Sequence, residues 1–235
     1  MTRLTSTMRW DARLQFRNGF YYASGFVAVI SIIILRQLPD DSLSLLMPIF
    51  VMGNMSVNTY YFMAGIVLLE KDDGVLEGLV VTPLRRHEYL WSKLLTLAVL
   101  TVLENVIIVT AVIGFNYNAP LLCAGIVLMG FFNTLYGFII VARYDSINSF
   151  LIPSVFWTMV LSVPILQYFG LINTPLMYIH PIMASLTLLR GGFNPISTWE
   201  LIYGFLYSLL WIAATFQVAH RAFYRFIILK QGVRT

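Results

Sequence analysis

Long stretches without a single charge constrain this chain more than anything else in it. The 15 basic and 11 acidic residues leave uncharged runs at 18–35, 42–69, 105–142, 146–189 and 201–220. A helix rising about 1.5 Å per residue needs roughly 20 residues to cross the hydrocarbon of a bilayer, so each run is long enough to consider as one or more crossings. With 59% apolar and only 11% charged residues, about half the usual charged fraction, a soluble protein is excluded. The composition predicts an all-α membrane protein of several spans.

Six crossings account for the runs: 19–35, 44–69, 94–115, 120–142, 147–169 and 200–219, within a single domain, 1–235. An even number puts both termini on one side. Of the 15 Lys and Arg residues, all but Arg36 and Arg190 then fall on that same side. By the positive-inside rule that side is the cytoplasm. The basic leader and first apolar run lack a small-residue cleavage pattern at their end, so the first span is expected to be retained. The net charge of +4 is read as a topology signal and not as a nucleic-acid footprint, because the basic residues border the apolar runs.

The run 146–189 could be divided to give a seventh span. Its second part, 175–189, has only 15 residues and is broken at His180-Pro181. At about 1.5 Å per residue it falls short of a core of roughly 30 Å, and a seventh crossing would export the basic tail. The segment 170–199 is therefore expected to be extracytoplasmic and partly re-entrant, its proline-broken backbone covered by protein or a wet cavity. At the other end, Arg9, Arg13 and Arg17 recur every four residues beside Leu4, Met8, Ala12 and Phe16. This pattern predicts a helix lying in the cytoplasmic interface, with a disordered basic leader as the plainer alternative.

Reactive constellations are missing. There is no phosphate-binding loop, no zinc-protease histidine pair and no nucleophile elbow. His87, His180 and His220 are too scattered for a zinc set, and the lone Cys123 allows neither an intrachain disulfide nor a cysteine metal site. Asn54-Met55-Ser56 looks like a glycosylation sequon but lies within span two, where no glycan can be added.

The informative segment is the highly charged cytoplasmic loop 70–93. Val75, Leu76, Leu79 and Val80 form one apolar stripe of a short helix whose other flank carries Lys71, Asp72 and Glu77, an amphipathic element suited to docking. Gly74 and Gly78, one turn apart, leave room for another backbone. Thr82-Pro83 reads as N-cap and first helical position of a restart that passes Arg85, Arg86 and Lys93 into span three. A solvated loop of charges is the plainer alternative.

The order Glu70, Gly74, Leu76-Glu77, Leu79 and Thr82-Pro83, then basic residues and Lys93 at the mouth of the next span, resembles the signature of permease subunits of the type-2 ATP-binding-cassette exporters. It departs from that signature at Val75, where Ser or Thr is usual. The stretch 175–190 and the compact chain are most similar to the drug-export branch, including fluoroquinolone permeases. The resemblance implies a chain that forms half of a translocation pathway, binds no cofactor itself and leaves ATP and magnesium to a separate nucleotide-binding ATPase subunit. It implies a second permease chain, as homodimer or heterodimer, in a cell membrane, with no nucleic-acid partner. Glu70, Gly74, Glu77, Gly78, Thr82, Pro83 and Arg85 would couple to the ATPase, with Glu70 and Glu77 paired either to it or to Arg85 and Arg86.

Glu104 sits near the middle of span three with no Lys or Arg in the centre of any span. A carboxylate there costs about 2.5–3.5 kcal/mol on insertion scales if ionised, so it must be protonated, hydrated or hydrogen-bonded between helices. Asn54, Asn58, Asn133 and Tyr136 lie at similar depth, and two roles stay open: a structural hydrogen bond across the bundle, or a site for cationic or amphipathic cargo. The sequence leaves three further functions as alternatives: an ion-coupled secondary transporter, a permease for lipid or polysaccharide, and a membrane enzyme or scaffold.

Overall fold

Every regular element among the described residues is helical, as the uncharged runs predict. The computed structural model describes residues 3–76, Gly78 and 85–228, the side chains of Arg86, Ile227 and Ile228 excepted. Glu77, Leu79, Val80, Thr82 and Pro83 of the expected coupling loop lie outside these residues.

The chain begins with α1 (Arg3–Arg17) and α2 (Phe20–Leu35), bent by 62° at the joint. Gly19 makes that corner with φ +82°, a left-handed conformation that a side chain disfavours. Next come α3 (Asp40–Met55), a π-helical segment (Ser56–Tyr61) and α4 (Phe62–Asp72), with helical backbone at both junctions. Then follow α5 (Arg86–Ile113), α6 (Ala119–Val141), α7 (Ile147–Ser162), the short α8 (Pro164–Tyr168), a 3-10 turn (Pro175–Ile179), α9 (Pro181–Gly191), α10 (Thr198–Phe223) and a closing π turn (Tyr224–Ile228).

Among the described residues four helices are long and apolar enough to cross a membrane: His87–Ile113, Ala119–Val141, Ile147–Tyr168 and Thr198–Phe226. The bent α1 and α2 make a fifth if taken together. The expected span 44–69 does not qualify as one helix, because the π turn divides it into α3 and α4. The expected six therefore appear as four or five.

Three local expectations are corrected. The N-cap of the helix that leads into the third span is Arg85 and not Thr82: α5 begins at Arg86, and Arg85, in extended conformation, has its amide donating to Glu88 Oε2 at 2.8 Å. α4 does not continue into the loop, because Asp73 ends it and Gly74 turns left-handed with φ +67°, its N–H donating to Lys71 O at 3.2 Å. Lys71 and Asp72 are thus not on one helix with Val75 and Leu76. Finally, α1 docks by Asp11, Leu14 and Gln15, which are buried, while Phe16 of the apolar stripe is 56% exposed.

α6 is the centre of the bundle, packed by α3, α4, the π segment, α5, α9 and α10. It carries no charge, and its glycines let backbones meet. A Cβ on Gly137 would lie 2.8 Å from the carbonyl oxygen of Tyr60, and one on Gly125 would lie 2.9 Å from the amide nitrogen of Leu189. That second contact seats α9, whose residues Ile182 to Leu189 are all buried between α6 and α10. Prolines shorten this segment, and neighbouring helices cover its backbone. α7 is the opposite case: Phe150, Ser154 and Leu161 are its buried residues, while Ile152, Phe156 and Met159 are exposed.

Candidate functional site

The root of the charged loop is anchored by two neighbouring residues at the end of α4. Consecutive helical residues point about 100° apart, so Glu70 and Lys71 address different helices. Lys71 Nζ reaches the C-terminal end of α6, donating to Ala142 O at 3.0 Å and Tyr144 O at 2.6 Å, with Asp145 at 3.9 Å. A cation there also answers the negative end of the helix dipole.

Glu70 turns the other way, into a buried ionic cluster. It is 3% exposed, accepts from the Tyr89 hydroxyl at 2.5 Å and pairs with Lys93. Lys93, 1% exposed, also holds Asp11 of α1 at 2.5 Å, and Asp11 accepts from the Ser92 hydroxyl. One turn further along, Gln15 donates to the Thr96 hydroxyl at 3.0 Å. One ammonium thus serves two carboxylates from α1 and α4 while itself belonging to α5. The expected pairing of Glu70 with Arg85 or Arg86 is replaced by Lys93, because Arg85 is exposed and caps its own helix. Lys93, counted with the cytoplasmic positive residues, is interior. The lone acid on α1 and the lysine at the mouth of span three were both visible, but a sequence separation of 82 residues carried no sign that they meet.

The two glycines of the loop present open space. An added Cβ on Gly74 or Gly78 would meet nothing within 4 Å among the described residues. Gly74 is required by its backbone angle. Leu76 is buried, at 1% exposure, while Gly78 is exposed.

Glu104 makes a second polar cluster. It is 5% exposed and accepts from Ser24 of α2, from Asn54 of α3 at 3.1 Å and from Asn58 in the π segment. Asn54 also donates to Asn105 Oδ1 at 3.1 Å. Its partners are neutral donors that tie three elements together. Ser24 and Asn105 were not anticipated. The structure does not bring Asn133 and Tyr136 into this network. Asn133 is buried with its Oδ1 unpartnered, and Tyr136 stacks on Phe132 at 5.9 Å and meets Trp157 edge-on at 6.2 Å.

The π turn presents Tyr61 toward α7, where its hydroxyl and that of Thr158 share a hydrogen bond of 3.2 Å. Beside them is a groove of about 340 Å³, lined by Tyr61, Val155, Thr158, Met159, Ser162 and Leu166, with Val163. Its wall is apolar, with the hydroxyls of Tyr61, Thr158 and Ser162 at intervals. Glu104 does not line it.

At the other end, His180 caps α9. Its Nδ1 accepts from the Ile182 amide at 3.3 Å, so its Nε2 carries the proton and donates to Val160 O at 3.1 Å. Burial pushes this imidazole below its ordinary value of 6.5, the bond to Val160 opposing the shift. This segment is tied down further by Tyr203 to Tyr178 O and Tyr207 to Ile179 O, both at 2.7 Å, and by the pair Arg190–Glu200.

Comparison with known proteins covers nearly the whole chain. The model of the fluoroquinolones export permease protein family matches residues 2–231. Two curated relatives, each named a fluoroquinolones export permease protein and drawn from two strains of Mycobacterium tuberculosis, are each 30% identical over 236 residues, covering 99% of this chain and 100% of the relative.

Proposed function

This chain belongs to the fluoroquinolones export permease protein family and is a permease subunit of an ATP-binding-cassette drug exporter, and from that premise we propose that it forms half of the pathway for amphipathic aromatic drugs. A full-length match of this kind does not favour an ion-coupled secondary transporter. The second half of the pathway is another permease chain, identical or related. ATP and magnesium are bound by a separate nucleotide-binding subunit. In this reading the chain crosses a cell membrane six times with both termini cytoplasmic: α2, the continuous 40–72 segment, α5, α6, α7 with α8, and α10. The basic flank of α1 lies at the cytoplasmic interface, and α9 is re-entrant from the outside.

The observation that carries the mechanism is the double anchorage of the loop root. Glu70 reaches α5 and, through Lys93, α1, while Lys71 reaches α6. A pull on the segment that contains Gly74, Glu77, Gly78, Thr82, Pro83 and Arg85 must then move several helices together, since packed interiors transmit displacement with little compliance. The segment docks on the ATPase, and its closure reaches the groove beside Tyr61 through the π turn, a break in regular hydrogen bonding where a helix can flex. Cargo binds in that groove, while Glu104 holds the helices behind it and Asn58, Asn133 and Tyr136 shape its surroundings.

Inside-out vesicles holding this chain and its ATPase test the reading. ATP-dependent uptake of norfloxacin is expected, together with co-purification of the ATPase in detergent. Uptake driven by a proton or sodium gradient without ATP would overturn it. Reversal of charge at Glu77 that left both co-purification and uptake intact would remove that residue from the docking role.

A further inference from the structure

The cluster around Lys93 holds one more carboxylate than it has cations. Asp11 and Glu70 are 2% and 3% exposed, Lys93 is 1% exposed, and among the described residues neither acid has another ion-pair partner. A structural pin between α4 and α5 would need Glu70 and Lys93 alone. The second acid comes from a third element, α1, and its carboxylate is held from both sides, by Lys93 Nζ and the Ser92 hydroxyl. Glu70 likewise keeps a second partner, the Tyr89 hydroxyl. Each carboxylate therefore retains a donor if the ammonium moves toward the other.

We propose that Lys93 is a counter-ion shared between Asp11 and Glu70, and that this sharing makes α1 a working part of the lever that couples the ATPase to the drug pathway. The inference rests on the coupling role proposed above for the loop that leaves α4. When the ATPase draws that loop, Glu70 slides along α5 from Lys93 toward Tyr89, one turn nearer the loop on the same helix, and the ammonium shifts onto Asp11, so that the motion never leaves a buried cation without a carboxylate. Glu70 keeps its hydroxyl donor on Tyr89. On the return stroke the ammonium moves back. Because Asp11 is fixed on α1 and Gln15 fastens the same helix to Thr96, α1 follows the exchange. Asp11 is a positioning residue, reaching the loop only through Lys93.

The test uses the permease reconstituted with its ATPase, measuring norfloxacin molecules moved per ATP hydrolysed, normalised to folded complex. Asp11→Asn is expected to assemble and to hydrolyse ATP as the parent does, yet to lose about tenfold in that ratio, with Asp11→Glu restoring it. A purely structural pin would lower the amount of complex and leave the ratio unchanged. A ratio equal to the parent's overturns this inference alone. A parent chain that does not co-purify with the ATPase overturns the proposed function and this inference with it. Should Asp11→Asn fail to accumulate, the parent supplies the answer. Spin labels at Arg9→Cys on α1 and Asn148→Cys on α7, with Cys123→Ser, are expected to change separation between nucleotide-free and ATP-bound states. An unchanged separation refutes the lever.

Discussion

The polar cluster around Lys93 and the one around Glu104 are both buried in an apolar bundle, yet their electrostatics are unlike. The first sets charge against charge: two carboxylates hold one ammonium, and hydroxyls from Ser92 and Tyr89 complete the acids. The second holds a single acid among neutral donors, Ser24, Asn54 and Asn58. Such an ion cluster depends most on its one cation, because removing it leaves two bare charges in a medium that solvates them poorly, whereas removing one acid leaves Lys93 still paired. A neutral network depends on hydrogen-bond count, so it tolerates a change of charge that preserves donors and acceptors. The difference places switching chemistry beside the loop and holding chemistry at mid-bundle.

The largest effect expected is from Lys93→Met, which strands two buried acids. Thermal unfolding in detergent should show a loss of about 3–5 kcal/mol, or no folded protein at all. Adding Asp11→Asn and Glu70→Gln should restore much of that loss, since no buried charge then remains. A single variant as stable as the parent would end the contrast between the clusters.

At Glu104 the effect is smaller and depends on the replacement. Asn54 Oδ1 and Asn58 Oδ1 are buried without partners, so a Gln amide at 104 can accept from one asparagine and donate to another. Glu104→Gln should therefore cost less than about 1 kcal/mol, while Glu104→Ala, which leaves donors unanswered, should cost about 1–3 kcal/mol in the same unfolding assay. Equal losses for the two would mean that the charge itself matters there.

The smallest effect lies outside both clusters, at His180. A histidine whose pKa is lowered on folding is most stabilising when neutral, so its contribution is complete above the unfolded value of 6.5 and falls as pH drops below it toward the lower folded value. Loss of the cap on α9 is worth about 1 kcal/mol or less. Stability measured between pH 7 and 5 should fall more in the parent than in His180→Asn, whose side chain still caps but does not titrate. Identical pH profiles would remove His180 as the cause.

Much of the fold was legible because hydropathy adds up locally. The expected crossings at 120–142 and 147–169 lie within a residue or two of helical segments, and the shortness of the stretch before α10 was legible from its length and the break at His180-Pro181. The break in the second span was not legible. A π turn inserts one residue per turn without a signature in composition, and it is stabilised here by Gly137 admitting the backbone at Tyr60. Glu104 and two of its donors were visible by depth, whereas Ser24, 80 residues away, was not.

Read by itself, the chain determined that it is helical, lives in a membrane and carries a charged loop with the signature of a driven permease, since each of these follows from residues close together along the sequence. Only the folded arrangement decided that Lys93 is interior, that it joins Glu70 to Asp11 of α1, and that Glu104 is held by neutral groups. The pairing of a buried charge is set by whichever donor arrives within bonding distance, and that is a property of three helices packed together, not of any one of them.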